Sequence, residues 1–221
     1  MSDEPQIVEQ GYSVVHIDAW LIVLNKTTGL LSVPGIGPEK ADCLAVRVAT
    51  AFAGARIVHR LDRDTSGLIV MARDGETHRA LSMQFEARTV EKRYCAVVAG
   101  HPVCDSGTID LPIAKDFERA PRQKIDHILG RPSVTNYRVV DRFITPSGVA
   151  VARLWLSPTT GRSHQLRLHL QTLGHPILGD DLYASEAIRA LSARLCLHAD
   201  QLVVTHPATG ARLASESPAP F

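Results

Sequence analysis

HRLDRDTSGLIV, residues 59–70, places a histidine, two arginines and two aspartates directly ahead of a Thr-Ser-Gly turn and an apolar run. The run extends through GLIVMAR (67–73), a continuous apolar segment bounded by turn residues, which is the pattern of a central strand buried on both faces. Asp64, Thr65, Ser66 and Gly67 are enough to re-aim the backbone. Arg60 and Asp62 are not needed for that. If residues 59–64 are extended, Arg60, Asp62 and Asp64 project to one side, and Leu61 and Arg63 to the other. An aspartate beside arginine is held ionised, and an ionised carboxylate can attack a sugar anomeric carbon. The competing role is a turn cap or an internal ion pair. That role is favoured for Asp64, which sits immediately before Thr-Ser-Gly; for Asp62 the residues by themselves do not decide.

Outward from this stretch, YSVVHIDAWLIVLNK (12–26) reads as two short strands around an Asp-Ala turn. Residues 41–53 carry helical spacing at Leu44, Val46, Val48 and Ala49, with Val46 making the face imperfect. GETHRALSMQFEAR is a second helix and KRYCAVVAG (92–100) a strand, with GTIDLPI as its expected partner. Residues 114–132, polar and basic with Pro121 and Pro132, read as a long exposed loop. SVTNYRVVDRF and GVAVARLWLS form two long strands joined by TPSG. PTTGRSHQLRLHLQTLGHP then turns helical, a further helix is expected around 184–193, and LCLHADQLVV is the last strand. The order is not a regular βαβ series, so the fold class is α+β with a mixed, largely antiparallel sheet flanked by helices. Residues 1–10 read as a tail and 11–221 as one domain.

With 221 residues, 45% apolar and 21% charged, the chain has the composition of a globular protein with a continuous core. No membrane span or signal peptide is visible, which predicts a cytoplasmic protein. The four cysteines, at 43, 95, 104 and 196, form no CxxC pair and read as reduced thiols. Net charge is +1, but residues 131–170 hold six arginines (131, 138, 142, 153, 162 and 167) against the single acid Asp141. Arginine pairs with phosphate bidentately and stacks on bases, so this bias hints at RNA. Composition by itself favours solvated strand edges and surface ion pairs.

Rival chemistries fail on spacing. His164 and His169 are five residues apart, about 140° around a helix, and there is no H-E-x-x-H, so no metal site is expected. Asp64-Thr65-Ser66-Gly67 has one residue too many for an aspartic-protease motif and no second copy. His59-Arg60-Leu61-Asp62 has an inserted leucine relative to a kinase catalytic loop and none of its companions. No dinucleotide or phosphate-loop glycine motif is present.

His59-Arg60-Leu61-Asp62, two variable residues, then Thr65-Ser66-Gly67 and an apolar strand closely resembles the signature of RluA-type pseudouridine synthases. The likeness continues through LNKTTGLLSVPG (24–35), with Thr27 or Thr28 where proline is commonest, EKRYCAVVAG (91–100), GRPSVTNYRV (130–139), LSPTTGRSHQLRLHLQTLGHPILGDDLY (156–183) and LHADQLVVTHPATG (197–210). The resemblance implies a pseudouridine synthase fold with RNA-binding loops, and isomerisation of a flipped-out uridine without cofactor or metal. It implies Asp62 as the catalytic aspartate, Arg162 as the cation pairing with it (Arg167 as second choice) and Tyr94 against the uracil ring. Arg60 would enter the space left by the flipped base or bind its phosphate. Arg63, Lys115, Arg119, Arg122, Lys124, Arg131, His164 and Arg167 are the further expected RNA contacts. Only about ten residues precede the first strand, so the resemblance points to the compact subgroup without an S4-like domain, acting as a monomer on a tRNA anticodon stem-loop and a 23S rRNA hairpin. A non-catalytic RNA-binding or ribosome-assembly module is the rival reading, predicting salt-dependent binding without isomerisation. A metal-independent nuclease has no motif behind it.

Overall fold

The computed structural model describes residues 11–221; the tail expected at 1–10 lies outside the described residues. In chain order the elements are β1 (Tyr12–Ile17), β2 (Leu21–Lys26), α1 (Leu44–Ala51), β3 (Arg56–Ile57), β4 (Ser66–Ala72), α2 (Gly75–Glu86), β5 (Glu91–Ala99), β6 (Ser106–Asp110), β7 (Ile113–Lys115), β8 (Gln123–Ile125), β9 (Val134–Ile144), β10 (Ala150–Pro158), α3 (Gln165–Thr172), α4 (Glu186–Arg189), β11 (Leu197–Thr205) and β12 (Arg212–Glu216). The chain forms two compact units, one comprising the residues up to Lys92 together with His198–Pro220, the other Arg93–Leu197 with Phe221.

In the first unit the strands run in the order β1-β2-β4-β11, with β12 on β11 and β3 on β4. The β1–β2 turn forms because Asp18 accepts hydrogen bonds from the backbone N–H of Trp20 (2.8 Å) and Leu21 (2.9 Å). Every residue of β4 is buried, as its unbroken apolar run requires for a strand paired antiparallel to β2 and parallel to β11. α1 buries Leu44 and Val48 and leaves Val46 exposed, which accounts for the imperfect face. α2 is capped by Asp74, which accepts from Thr77 N–H at 2.8 Å, and lays Leu81 and Phe85 on Val23, Leu68, Val70 and Val204.

Gly67 makes the parallel pairing possible. Its φ is +111°, and a Cβ there would lie 2.3 Å from the carbonyl oxygen of its register partner Ala199. Ser66 is fixed beside it by a 2.7 Å hydrogen bond to His198 Nδ1.

The second unit is built on β5-β10-β9-β6, all antiparallel, over a core of Val98, Val151, Leu154, Leu156, Leu166, Leu170 and Ile177. Three expectations change here. The segment after β5 pairs with β9, not with β5, whose partner is β10. Residues 114–132 are not wholly loop, because β7 and β8 pair from Ile113↔Ile125 to Lys115↔Gln123, and Ile113 packs with Leu168 and Tyr183. Strands of three residues are too short to show alternation, and Pro121 lies in the connection between them. The helix expected around 184–193 is a single turn, α4, capped by Ser185.

Candidate active site

In the first unit the 61–64 segment is held by its backbone. Leu61 is buried, and Ser32 Oγ both accepts from its N–H (3.1 Å) and donates to its carbonyl (2.7 Å). Lys26, fully buried at the end of β2, donates from Nζ to the carbonyls of Thr27 (2.8 Å), Leu30 (2.8 Å) and Arg63 (2.9 Å). Thr28 Oγ1 donates to the Asp64 carbonyl at 2.7 Å, and Thr65 N–H closes the turn onto the Asp62 carbonyl at 3.2 Å. A buried ammonium is tolerable only where oxygens replace its water, and three carbonyls do so here.

The side chains of this segment divide by role. Asp64 accepts two hydrogen bonds from Arg63, at 2.9 and 3.0 Å, so it has the internal arginine partner favoured for it and Arg63 is engaged with a carboxylate. Arg60 is exposed. Asp62 is half-buried, and among the described residues of its own unit its carboxylate has no hydrogen-bond or ion-pair partner. His59 is structural. Its Nε2 accepts from Val70 N–H at 3.1 Å, and its ring stacks on Phe85 with centroids 4.4 Å apart. Burial, with the nearby Lys92 ammonium as a lesser cause, pushes its pKa down to about 3, so the ring is neutral.

In the second unit Tyr94, on β5, lies opposite Leu156 of β10 and packs, half-buried, against the core. Arg162 is half-buried in the loop after β10, which Gln165 organises. Gln165 Oε1 accepts from Arg162 N–H (3.0 Å) and Thr160 Oγ1 (2.8 Å), while its Nε2 donates to the Val134 carbonyl and to Thr135 Oγ1, both at 3.0 Å. The Arg162 guanidinium makes one long contact within its unit, Nε to the Pro132 carbonyl at 3.4 Å.

Arg167 is not placed to contact RNA. It is 2% exposed, donates from Nε to Asp180 at 2.8 Å, and its Nη2 reaches both Asp180 (2.5 Å) and Asp181 (2.8 Å). On a helix buried nearly all round, a cation persists only when paired in this way. The arginine excess thins further. Arg138 lies over the Trp155 ring, Arg142 is bound to Asp105 and the Pro102 carbonyl, and Arg153 donates to the Phe221 carbonyl. Arg131 is exposed.

On the β7–β8 hairpin and the turn after it, Lys115 is exposed, Arg119 pairs with Asp116 at 2.8 Å, and Lys124 pairs with Asp126 at 3.2 Å. Arg122 lies over the ring of Tyr183, 5.5 Å from its centroid. The Tyr183 hydroxyl accepts from Gln123 N–H (2.7 Å) and bonds His164 Nδ1 (2.9 Å). His164 itself has a left-handed backbone, φ 55°, unusual for a side-chain-bearing residue. His169 is buried, with Nδ1 on Thr135 Oγ1 and Nε2 on the Leu111 carbonyl, and burial lowers its pKa. Among the described residues no group of three or more His, Cys, Asp or Glu side chains is arranged to hold a metal ion.

Lys26, Thr28, Ser32, Gln165 and Tyr183 were not among the residues singled out from the sequence. Lys26 ends β2 two residues after the apolar run LIVL, and it is buried where Asn25 is half-buried.

Residues 20–172 match the model of the RNA pseudouridylate synthase family, and the chain belongs to that family. It is an RNA pseudouridine synthase. It is 43% identical over 97% of its length to the dual-specificity RNA pseudouridine synthase RluA of Haemophilus influenzae, covering 96% of that protein. Against the protein of the same name from Escherichia coli K12, identity is 44% over 94% of this chain and 93% of the relative. Its fold matches human RNA pseudouridylate synthase domain containing 1, with a TM-score of 0.81, 28% identity and coverage of 98% of this chain and 87% of the other.

Proposed function

We propose that this enzyme isomerises uridines in two kinds of RNA hairpin, a tRNA anticodon stem-loop and a 23S rRNA hairpin, with Asp62 as the catalytic carboxylate. The observation that carries the assignment of Asp62 is the contrast on its own segment. The backbone on either side is anchored, Asp64 is taken by Arg63, and among the described residues of its unit the Asp62 carboxylate is left unengaged. The dual specificity rests on the names of the relatives, which cover nearly the whole chain.

In the reaction the N1–C1′ bond breaks, the uracil turns, C5 bonds to C1′, and the proton lost from C5 is balanced by one gained at N1. The carboxylate of Asp62 either attacks C1′, giving a sugar ester like that of retaining glycosidases, or promotes base departure and later removes a proton. Arg162 is the cation assigned to act with the Asp62 carboxylate. Tyr94 lies against the base, and Arg60 enters the space from which the uridine has been extracted or binds its phosphate. Lys115, Arg122 and Arg131 hold the hairpin backbone, Arg119 and Lys124 join them by exchanging Asp116 and Asp126 for phosphate, and the enzyme works as a cytoplasmic monomer. Four free cysteines suit a reducing compartment.

Mapping pseudouridines in total RNA from cells with and without the protein tests the substrate assignment. Loss at one anticodon stem-loop position and one 23S hairpin position is the expected result. Unchanged modification at both would overturn it.

A further inference from the structure

The segment 61–64 has its carbonyls satisfied one by one, and three of the four go to side chains from residues 26–32. Ser32 takes Leu61, Lys26 takes Arg63 and Thr28 takes Asp64; only the Asp62 carbonyl bonds locally, to Thr65 N–H. A turn rich in Asp, Thr, Ser and Gly needs no such help, because its own side chains supply its bonds. The Leu61 side chain, 4% exposed, adds an apolar anchor immediately before Asp62. Backbone fixed on both sides of one residue restricts where its side chain points. A displacement of about 1 Å at a reacting group costs about 100-fold in rate.

We propose that Ser32 and Thr28 are positioning residues of the isomerisation, holding the backbone before and after Asp62 so that its carboxylate is presented in one direction. The proposal rests on the reading of Asp62 as the catalytic carboxylate.

The test is single-turnover tritium release from an RNA hairpin carrying 5-tritiated uridine, with the dissociation constant measured in parallel, for Ser32→Ala, Thr28→Val, Thr28→Ser and Gln84→Ala. Gln84 is the structural control. It grips both the N–H (2.8 Å) and the carbonyl (2.7 Å) of Thr205 in the same unit, the same two-point bond that Ser32 makes to Leu61. Ser32→Ala and Thr28→Val are expected to lose about tenfold or more in rate with RNA affinity held, Thr28→Ser to recover the rate, and Gln84→Ala to keep it. Thr28 is only half-buried, so Thr28→Val carries the test if Ser32→Ala does not fold. Wild-type rates in both variants, an equal loss in Gln84→Ala, or a rate loss matched by weaker binding would overturn the proposal. Asp62→Asn is run alongside. Activity in that variant removes the reading of Asp62 itself, whereas an inactive Asp62→Asn beside full-rate Ser32→Ala and Thr28→Val removes only the positioning role.

Discussion

Replacing Arg167 by alanine distinguishes a structural arginine from an RNA contact. The guanidinium is 2% exposed and its partner Asp180 is 0% exposed, so the substitution leaves a carboxylate in the interior with only the N–H groups of Leu182 and Tyr183, each at 2.9 Å, to solvate it. Breaking one side of a buried pair costs about 3–5 kcal/mol. For a chain of this size each kcal/mol lowers the melting temperature by about 2–4 °C, so a fall of roughly 6–20 °C is expected. The assay is a thermal melt followed by circular dichroism, with RNA binding measured across a salt series at a temperature where the variant is folded. An arginine on phosphate would instead leave the melt unchanged and reduce the slope of log affinity against log salt by about 1. An unchanged melting temperature with a reduced slope would refute the assignment of Arg167 to the interior.

Three further outcomes follow from the geometry. Gly67→Ala should destabilise the first unit by more than about 4 kcal/mol, because a Cβ would sit 2.3 Å from Ala199 O at φ +111°; Gly161→Ala, with nothing within 4 Å of its Cβ, should be silent, as urea denaturation will show. His59, with its pKa depressed to about 3, stays neutral in the folded protein while the unfolded chain protonates near 6.5, so its contribution is complete above about pH 6.5 and lost as pH falls toward 3. The urea midpoint should therefore fall less steeply between pH 7 and pH 4 for His59→Asn than for the wild type, and equal slopes would contradict this. Lys115→Ala and Arg131→Ala, at exposed cations, should each lower the salt slope of RNA binding by about 1, whereas Arg142→Ala, whose guanidinium is tied to Asp105, should leave it unchanged.

What the sequence disclosed tracks how local its causes are. β4 and α2 were legible because an unbroken apolar run and a helical repeat leave few alternatives. The pairing of β6 with β9 was not, since it depends on a partner about thirty residues away and not on anything in GTIDLPI. β7 and β8 escaped because three-residue strands are held by packing on Tyr183 and Leu168, which no short window contains.

The site divides in the same way. HRLD and TSG marked the loop around Asp62, but the side chains that hold it, Lys26, Thr28 and Ser32, come from a segment about thirty residues earlier. Arg167 misled because an arginine in a basic stretch looks alike whether it faces solvent or Asp180; only the burial of its helix separates the two. His59 is a comparable case, a histidine in the HRLD stretch whose geometry makes it an acceptor for Val70.

The assignment of Asp62 is tested most directly by tritium release from RNA carrying 5-tritiated uridine, comparing the wild type with Asp62→Asn and Asp62→Ala. Both variants should bind the hairpin with near wild-type affinity and release no tritium above background. Undiminished release from either variant would contradict the account.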